Sequence, residues 1–138
     1  MELPPEGFYR ISIKALILNE AKDKFLISQE YDGKWDLPGG GLDFGETVQD
    51  CLKRELKEEM GLEVVTVSGS PSYFFTSQFQ AGTRIGMWYA NILYETTVKD
   101  LKITPSEECE AIRFVSPSEV TGLDVYNSIT NLAKVFKV

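Results

Sequence analysis

The chain has 138 residues, a length that one hydrophobic core can serve, so we expect a single domain over residues 1–138. It contains no histidine, which excludes Ser-His and Cys-His nucleophile pairs and the side chain that most often binds transition metals. The formal net charge of −7 argues against an extended nucleic-acid surface, because the protein as a whole repels polyanions. Any catalysis must therefore use carboxylates, Lys, Arg, Tyr or a hard metal ion.

The N-terminal segment and the cysteines bear on the compartment in which the protein works. Residues 1–7 contain no basic stretch followed by an apolar one, and no apolar run reaches the roughly 18 to 20 residues needed to span a bilayer. We therefore expect a cytoplasmic protein with no membrane partner. Cys51 and Cys109 lack the paired spacing of a disulfide framework or a thiolate zinc site, so we interpret both as packing residues.

The first third of the chain consists of apolar runs followed by a glycine-rich stretch. The apolar runs over residues 9–19 and 24–29 flank a polar turn and predict a β-hairpin. Residues 31–45 contain Pro38 and the consecutive glycines Gly39–Gly41, which predict a loop. Because glycine lacks a side chain, the backbone of this loop can approach a ligand closely.

A helix is predicted directly after this loop. Thr47, with Asp50 three residues later, indicates an N-cap, and apolar residues then recur at helical spacing as far as Met60. Gly61 is typical of the residue that ends a helix. The predicted helix therefore covers residues 48–60.

The second half of the chain is mainly β-like. Four further strands are predicted over residues 63–67, 72–78, 83–94 and 110–115. A short helix that begins at Pro117 and a final helix over residues 126–136 follow. Strands that outnumber helices, with helices in the middle and at the end, indicate an α/β fold in which helices cover the faces of a mixed sheet.

Three acidic residues lie close together on the predicted helix. Glu55, Glu58 and Glu59 occupy positions i, i+3 and i+4, within roughly a quarter-circle that continues the apolar stripe. Each close pair of carboxylates costs about 1 kcal/mol in bulk water and about 4 kcal/mol at an effective dielectric constant of about 20. A divalent cation such as Mg²⁺ or Mn²⁺, which takes oxygen ligands, would offset this cost.

The same residues are also compatible with an ordinary solvent-exposed helix. Glu and Lys are good helix formers, and Lys53, Arg54 and Lys57 lie between the acids as ion-pair partners. For an isolated Glu-x-x-Glu-Glu pattern we would favour this second interpretation. The residues around the pattern decide between the two.

From Gly40 to Leu62 the chain reads GGLDFGETVQDCLKRELKEEMGL. This segment resembles the complete box of the Nudix hydrolase family: Gly, five residues, Glu, seven residues, Arg-Glu, an aliphatic residue, one residue, Glu-Glu, one residue, Gly and an aliphatic residue. Every fixed position matches, which is very improbable by chance given the ordinary frequency of each residue type. The resemblance implies an α/β/α sandwich, with a mixed β-sheet flanked by helices.

The resemblance also implies a divalent-metal site. In the family the box carboxylates bind the metal ions, so Glu55, Glu58 and Glu59 are the expected ligands, with Mg²⁺ or Mn²⁺ as the cofactor. A backbone carbonyl of the glycine loop often completes the site, which points to Gly39. Family members often recruit one more acid from a later loop, and Glu108 is our choice for it, although a solvated acidic loop is an equal alternative.

Two further box residues have roles that the resemblance implies. Arg54 is expected to orient the glutamates, and Glu46 is placed to pair with it. Glu55 or Glu58 is expected to accept the proton of the attacking water, and the sequence does not decide between them.

The expected activity is hydrolysis of a phosphoanhydride bond in a nucleoside diphosphate derivative by water attack at phosphorus. Nucleoside triphosphates, nucleotide sugars and dinucleoside polyphosphates are candidate substrates; residues typical of the ADP-ribose and dinucleoside polyphosphate subgroups are missing, which favours the triphosphate type. The alternative is a Nudix-fold module that senses a nucleotide without cleaving it, but such a module would be expected to have lost some of the acids or Arg54. A homodimer is a further expectation, because dimers are common among related folds.

Overall fold

A computed structural model describes residues 7–79 and 84–137 of the chain. Thr83, the first residue of the strand predicted over residues 83–94, lies outside the described residues. The elements in chain order are β1 (Tyr9–Leu16), β2 (Phe25–Gln29), β3 (Trp35–Asp36), β4 (Gly39–Gly41), α1 (Val48–Met60), β5 (Val64–Val67), β6 (Tyr73–Gln78), β7 (Trp88–Val98), β8 (Ala111–Val115), a 3-10 helix (Pro117–Gly122) and α2 (Asn127–Val135).

The described strands form two sheets. In the larger sheet the order is β4-β1-β7-β5, and β6 also pairs with β7. β1 and β7 are parallel, whereas the other pairs of this sheet are antiparallel. The smaller sheet has the order β3-β2-β8 and is antiparallel. The mixed sheet that the sequence predicts is thereby confirmed.

The two α-helices cover opposite faces of the sheets, which confirms the expected α/β/α arrangement. The buried core on the α1 side consists of Ile13, Ala15, Ile17, Leu26, Cys51, Leu52 and Leu56. The buried core on the α2 side includes Leu16, Phe25, Ile27, Leu93, Ile129 and Leu132. Alternate residues of β1 thus point to opposite cores, as the period of a strand requires. Neither helix in the described part of the chain is long and apolar enough to cross a membrane.

The hairpin predicted from the two N-terminal apolar runs forms only at its turn. The Asn19 N–H donates to the Lys24 carbonyl at 3.2 Å, and the Leu26 N–H donates to the Ile17 carbonyl at 2.9 Å. Beyond the turn the strands enter different sheets, because β1 pairs with β4 and β7 while β2 pairs with β3 and β8. Local alternation could not reveal this separation, since it depends on strands that lie much later in the chain.

The consecutive glycines form a short strand instead of the predicted loop. β4 pairs antiparallel with Ser12–Lys14 of β1. Gly39 has a φ of +130°, and a Cβ atom there would lie 2.1 Å from the Ile13 carbonyl oxygen. Glycine is therefore needed at this position because the two backbones lie too close for any side chain.

The predicted bounds of α1 are confirmed, and both of its ends are capped as the sequence indicates. The Thr47 side chain accepts a hydrogen bond from the Asp50 N–H at 3.1 Å. Gly61 ends the helix in the left-handed conformation, with a φ of +69°, and its N–H donates to the Leu56 and Lys57 carbonyls.

We predict that Gly61→Ala lowers the free energy of unfolding by about 1–2 kcal/mol, because a side chain is strained in the left-handed conformation. The new Cβ would also lie 2.9 Å from the Thr104 hydroxyl oxygen. Urea titration measures the change. Gly69→Ala is the matched control, since nothing lies within 4 Å of its Cβ. Equal stability of the two variants would contradict the proposed role of Gly61.

Candidate active site

The three glutamates of α1 do not share one environment. The Glu55 side chain is 14% exposed and Glu59 is 8% exposed. The Glu58 side chain, by contrast, is 60% exposed. On a helix, positions i+3 and i+4 lie on opposite sides of position i, and only the second of them continues toward the interior here. The structure therefore brings two of the expected metal ligands together at β4 and turns the third toward solvent.

Glu59 is a carboxylate buried beside the glycine strand. Its Oε2 accepts a long hydrogen bond of 3.5 Å from the Gly39 N–H. Burial raises the pKa of Glu59 well above its ordinary value, and the negative charges of Glu55 and Asp36 raise it further. The Lys14 ammonium acts in the opposite direction. A cation at this point would relieve the repulsion between the carboxylates.

The absence of a side chain at Gly40 leaves room for the Glu55 carboxylate. A Cβ atom on Gly40 would lie 2.5 Å from the Glu55 carboxyl carbon. The carboxylate therefore lies in the space that a side chain at this position would fill. Below it, the buried Cys51 thiol lies 3.8 Å from the Gly40 carbonyl oxygen, and burial first of all raises its pKa to about 12. Cys51 is thus a protonated packing residue, as the sequence predicts.

Arg54 joins the acidic residues to one another. Its guanidinium binds Glu46 through two hydrogen bonds of 2.7 and 2.9 Å and donates to Glu55 at 2.8 Å. It also donates to the Gly41 carbonyl at 3.2 Å and to Glu58 at 3.4 Å. The hydrogen bonds from Arg54 lower the pKa of Glu46 to about 2. The two-bond contact fixes the plane of the guanidinium, so that its remaining N–H groups hold Glu55.

The residues present fit a hard divalent cation whose coordination shell is completed by other ligands. Among residues 7–79 and 84–137, no three Asp, Glu or Cys side chains converge closely enough to enclose a metal ion. Glu55 and Glu59 do converge, beside the backbone of Gly39. Mg²⁺ is usually held by one or two carboxylates together with water and substrate phosphates. A pair of carboxylates is therefore a sufficient set of protein donors for Mg²⁺ or Mn²⁺, with water and substrate phosphates as the remaining ligands.

The acidic loop that contains Glu108 lies against the C-terminal end of α1. The Ser106 hydroxyl donates to the Glu59 carbonyl at 2.5 Å, and the Glu108 N–H donates to the Ser106 hydroxyl at 3.2 Å. The Glu108 side chain itself is exposed. The loop thus contacts the Glu59 backbone through Ser106, while the Glu108 carboxylate is exposed to solvent.

A cleft of ≈ 200 Å³ begins at β4 and crosses the sheet over β1 and β7 to β6. Its floor contains the polar residues Ser12 and Asn91, which are buried on central strands where apolar residues are usual. One wall of the cleft is formed by the aromatic residues Phe79, Tyr89 and Tyr126. The ring centroid of Phe79 lies 5.2 Å from that of Tyr89 and 5.7 Å from that of Tyr126. An elongated polar molecule with one flat end would fit this cleft.

Sequence reasoning missed a second group of charged residues, on the cleft side of β4. Lys14 donates to the Leu37 carbonyl at 3.1 Å and to Asp36 at 3.4 Å. Asp36 in turn accepts a hydrogen bond of 2.8 Å from the Ser128 hydroxyl of α2. One signal could have found this group: Lys14 is the single charged residue in the apolar run ISIKALIL.

The chain is similar to known proteins over most of its length. The NUDIX domain family model matches residues 8–134. Nucleoside triphosphatase NudI of Escherichia fergusonii is 26% identical over 99 residues, which cover 69% of this chain and 70% of that protein. The crystal structure of the MutT protein from Methanosarcina mazei Go1 superposes with a TM-score of 0.75 and 24% identity, and covers 96% of each chain. The solution structure of the E. coli ORF135 protein has a TM-score of 0.72 and 22% identity, and covers 98% of this chain and 93% of that one. At these identities the two structures bear on the fold alone.

The Arg54–Glu46 contact predicts a defined pH dependence. The pKa of Glu46 is lowered from 4.5 to about 2, so its contribution to stability is complete above pH 4.5 and is lost as the pH falls through about 2. The gap in free energy of unfolding between wild type and Glu46→Gln should therefore be widest above about pH 5 and should close toward pH 2. Denaturant titration between pH 2 and pH 7 measures the gap, and a gap that stays constant over this range would contradict the assignment.

Proposed function

The chain belongs to the NUDIX domain family of hydrolases, and on that basis we propose that it is a metal-dependent pyrophosphohydrolase of nucleotide derivatives. The observation that carries the proposal is the pair of neighbouring carboxylates beside β4, where the cleft begins: Glu59 is buried and accepts from the Gly39 N–H, and Glu55 is mostly buried and is held by Arg54. Water would attack phosphorus in a phosphoanhydride bond of a nucleoside diphosphate derivative. An acidic pair at this point serves no evident structural purpose, because the two carboxylates repel each other.

We assign the cation, Mg²⁺ or Mn²⁺, to Glu55, Glu59 and the Gly39 carbonyl, with Glu58 and Glu108 as further candidate ligands. When bound, such an ion neutralises charge on the diphosphate and makes a water molecule more acidic. Arg54 keeps Glu55 in place, and Glu46 keeps Arg54 in place. Both act through other residues and need not touch the substrate.

Glu58 is our choice for the residue that accepts the proton of the attacking water. Its side chain is 60% exposed, so it can pass the proton on to bulk solvent. Glu55, the other candidate, is only 14% exposed and accepts a hydrogen bond of 2.8 Å from Arg54, whereas the hydrogen bond from Arg54 to Glu58 is longer, at 3.4 Å. The exposed position of Glu58 supports this role better than the role of a metal ligand.

The triphosphates are the substrate class that we propose first. The relative from Escherichia fergusonii is named a nucleoside triphosphatase, and the cleft offers an aromatic wall formed by Phe79, Tyr89 and Tyr126 for a nucleobase. Nucleotide sugars and dinucleoside polyphosphates are the competing classes. The cytoplasmic location and the homodimer stay predictions.

We predict that Glu59→Gln reduces Mg²⁺-dependent release of phosphate or pyrophosphate by at least about 100-fold, because it removes a charge from the metal site. A panel of nucleoside triphosphates, nucleotide sugars and dinucleoside polyphosphates, with products identified, provides the measurement. Glu63→Gln is the control, since the Glu63 side chain is 69% exposed and its one ion pair in the described part of the chain is with Lys99, at 3.9 Å. A wild-type protein that binds these nucleotides and cleaves none of them would support the sensing module instead.

We predict that Gly40→Ala weakens Mg²⁺ binding by about 10-fold while the fold is retained, because the new methyl group displaces the Glu55 carboxylate. The distance of 2.5 Å between the added Cβ and the Glu55 carboxyl carbon makes this displacement necessary. Calorimetric titration with Mg²⁺ measures the effect. Gly122→Ala adds the same methyl group where nothing lies within 4 Å, and it should bind Mg²⁺ like the wild type. Equal Mg²⁺ affinities of the two variants would contradict the assignment of Glu55 as a metal ligand.

A further inference from the structure

A lysine is buried at the centre of the larger sheet. Lys14 lies in β1, where it pairs with Gly39 of β4 on one side and with Leu93 of β7 on the other. It is only 7% exposed. Lysine is almost never buried to this extent unless it is paired, because removing an ammonium from water is costly. The acceptors around the Lys14 ammonium must therefore account for its burial.

The protein satisfies two of the three donors that the Lys14 ammonium carries. The acceptors are the Leu37 carbonyl at 3.1 Å and one oxygen of Asp36 at 3.4 Å. Asp36 is itself fixed, because its other oxygen accepts hydrogen bonds from the Leu37 N–H at 2.7 Å and from Ser128 at 2.8 Å. No third acceptor lies within hydrogen-bond distance among the residues that the structure describes. Lys14 also lines the cleft, so the remaining donor is available to a ligand there.

Lys14 lies where the cleft meets the acidic site. Burial lowers its pKa, but the carboxylates of Asp36, Glu59 and Glu55 together raise it above the ordinary value, so the amine is charged. The other cations that line the described part of the cleft belong to its aromatic wall. Lys34 lies 4.6 Å from the centre of the Tyr126 ring, and Arg84 donates to the Tyr89 hydroxyl at 2.9 Å.

We propose that the Lys14 ammonium binds a phosphate oxygen of the substrate, between the acidic site and the part of the cleft that holds the nucleoside. This inference rests on the proposed function. A diphosphate that approaches a protein of net charge −7 needs a local positive charge, and Lys14 provides one that Asp36 and Leu37 have already oriented. An oriented ammonium loses little conformational entropy when the substrate binds.

The direct test is binding of imidodiphosphate, a pyrophosphate analogue that resists hydrolysis, in the presence of Mg²⁺. Lys14→Met should weaken its calorimetric Kd by about 10- to 100-fold, the usual effect of losing a charge-assisted hydrogen bond. The same variant should lower kcat/KM by a similar factor for the nucleotide that the wild-type protein hydrolyses. Lys53→Met removes an exposed lysine of α1 and should change neither quantity.

A second variant tests whether Lys14 binds the phosphate or only balances the charge of Asp36. Lys14→Met alone leaves the Asp36 carboxylate buried without its cation, which destabilises the fold. Lys14→Met combined with Asp36→Asn removes both charges and should recover much of the lost unfolding free energy. If imidodiphosphate binding stays weak in this double variant, Lys14 contacts the ligand. If binding recovers together with stability, the inference is wrong.

The two proposals can fail separately. A wild-type protein that binds imidodiphosphate through Lys14 but hydrolyses no nucleotide would overturn the proposed activity and leave the phosphate contact intact. Hydrolysis and binding that are both unchanged in Lys14→Met would overturn the phosphate contact alone. A wild-type protein that does not bind imidodiphosphate with Mg²⁺ would also overturn this contact.

Discussion

The close approach of α1 to the glycine strand controls the geometry of the candidate active site. Gly40 leaves open the space that the Glu55 carboxylate occupies, 2.5 Å from where a Cβ would lie, and Gly39 allows β4 to lie against β1. With larger residues at these positions, helix and strand would separate and the acidic pair would lose its backbone neighbours. The packing of backbone against carboxylate therefore comes first, and the chemistry of the site depends on it.

Two pairs of opposite charges flank the buried Glu59 in this site. Arg54 neutralises Glu46 and holds Glu55, while Lys14 neutralises Asp36 on the cleft side. Glu59, which is buried between these two groups, keeps a raised pKa in spite of them. In the proposed function this remaining imbalance favours binding of a cation, and in the further inference the unused donor of Lys14 favours binding of a phosphate oxygen beside it.

Features encoded by neighbouring residues were predictable from the sequence. The bounds of α1 follow from the Thr47 cap and Gly61, and the Arg54–Glu46 pairing follows from the box. The separation of β1 and β2 into two sheets was not predictable, because it depends on pairing with β7 and β8. The strand formed by Gly39–Gly41 was missed for the same reason, since its partner is β1 and no local signal distinguishes it from a loop.

By itself, the sequence determined the family, the helix that carries the acids and the pairing of Arg54 with Glu46, because all of these depend on spacing within one continuous segment. Only the tertiary structure decided the environment of each residue. It buried Glu59 and exposed Glu58, although both belong to the same turn of α1. It also brought Lys14, Asp36 and Ser128 together from three distant elements. Burial and long-range contacts arise from how sheets and helices pack, and a pattern within one segment contains no information about its neighbours in space.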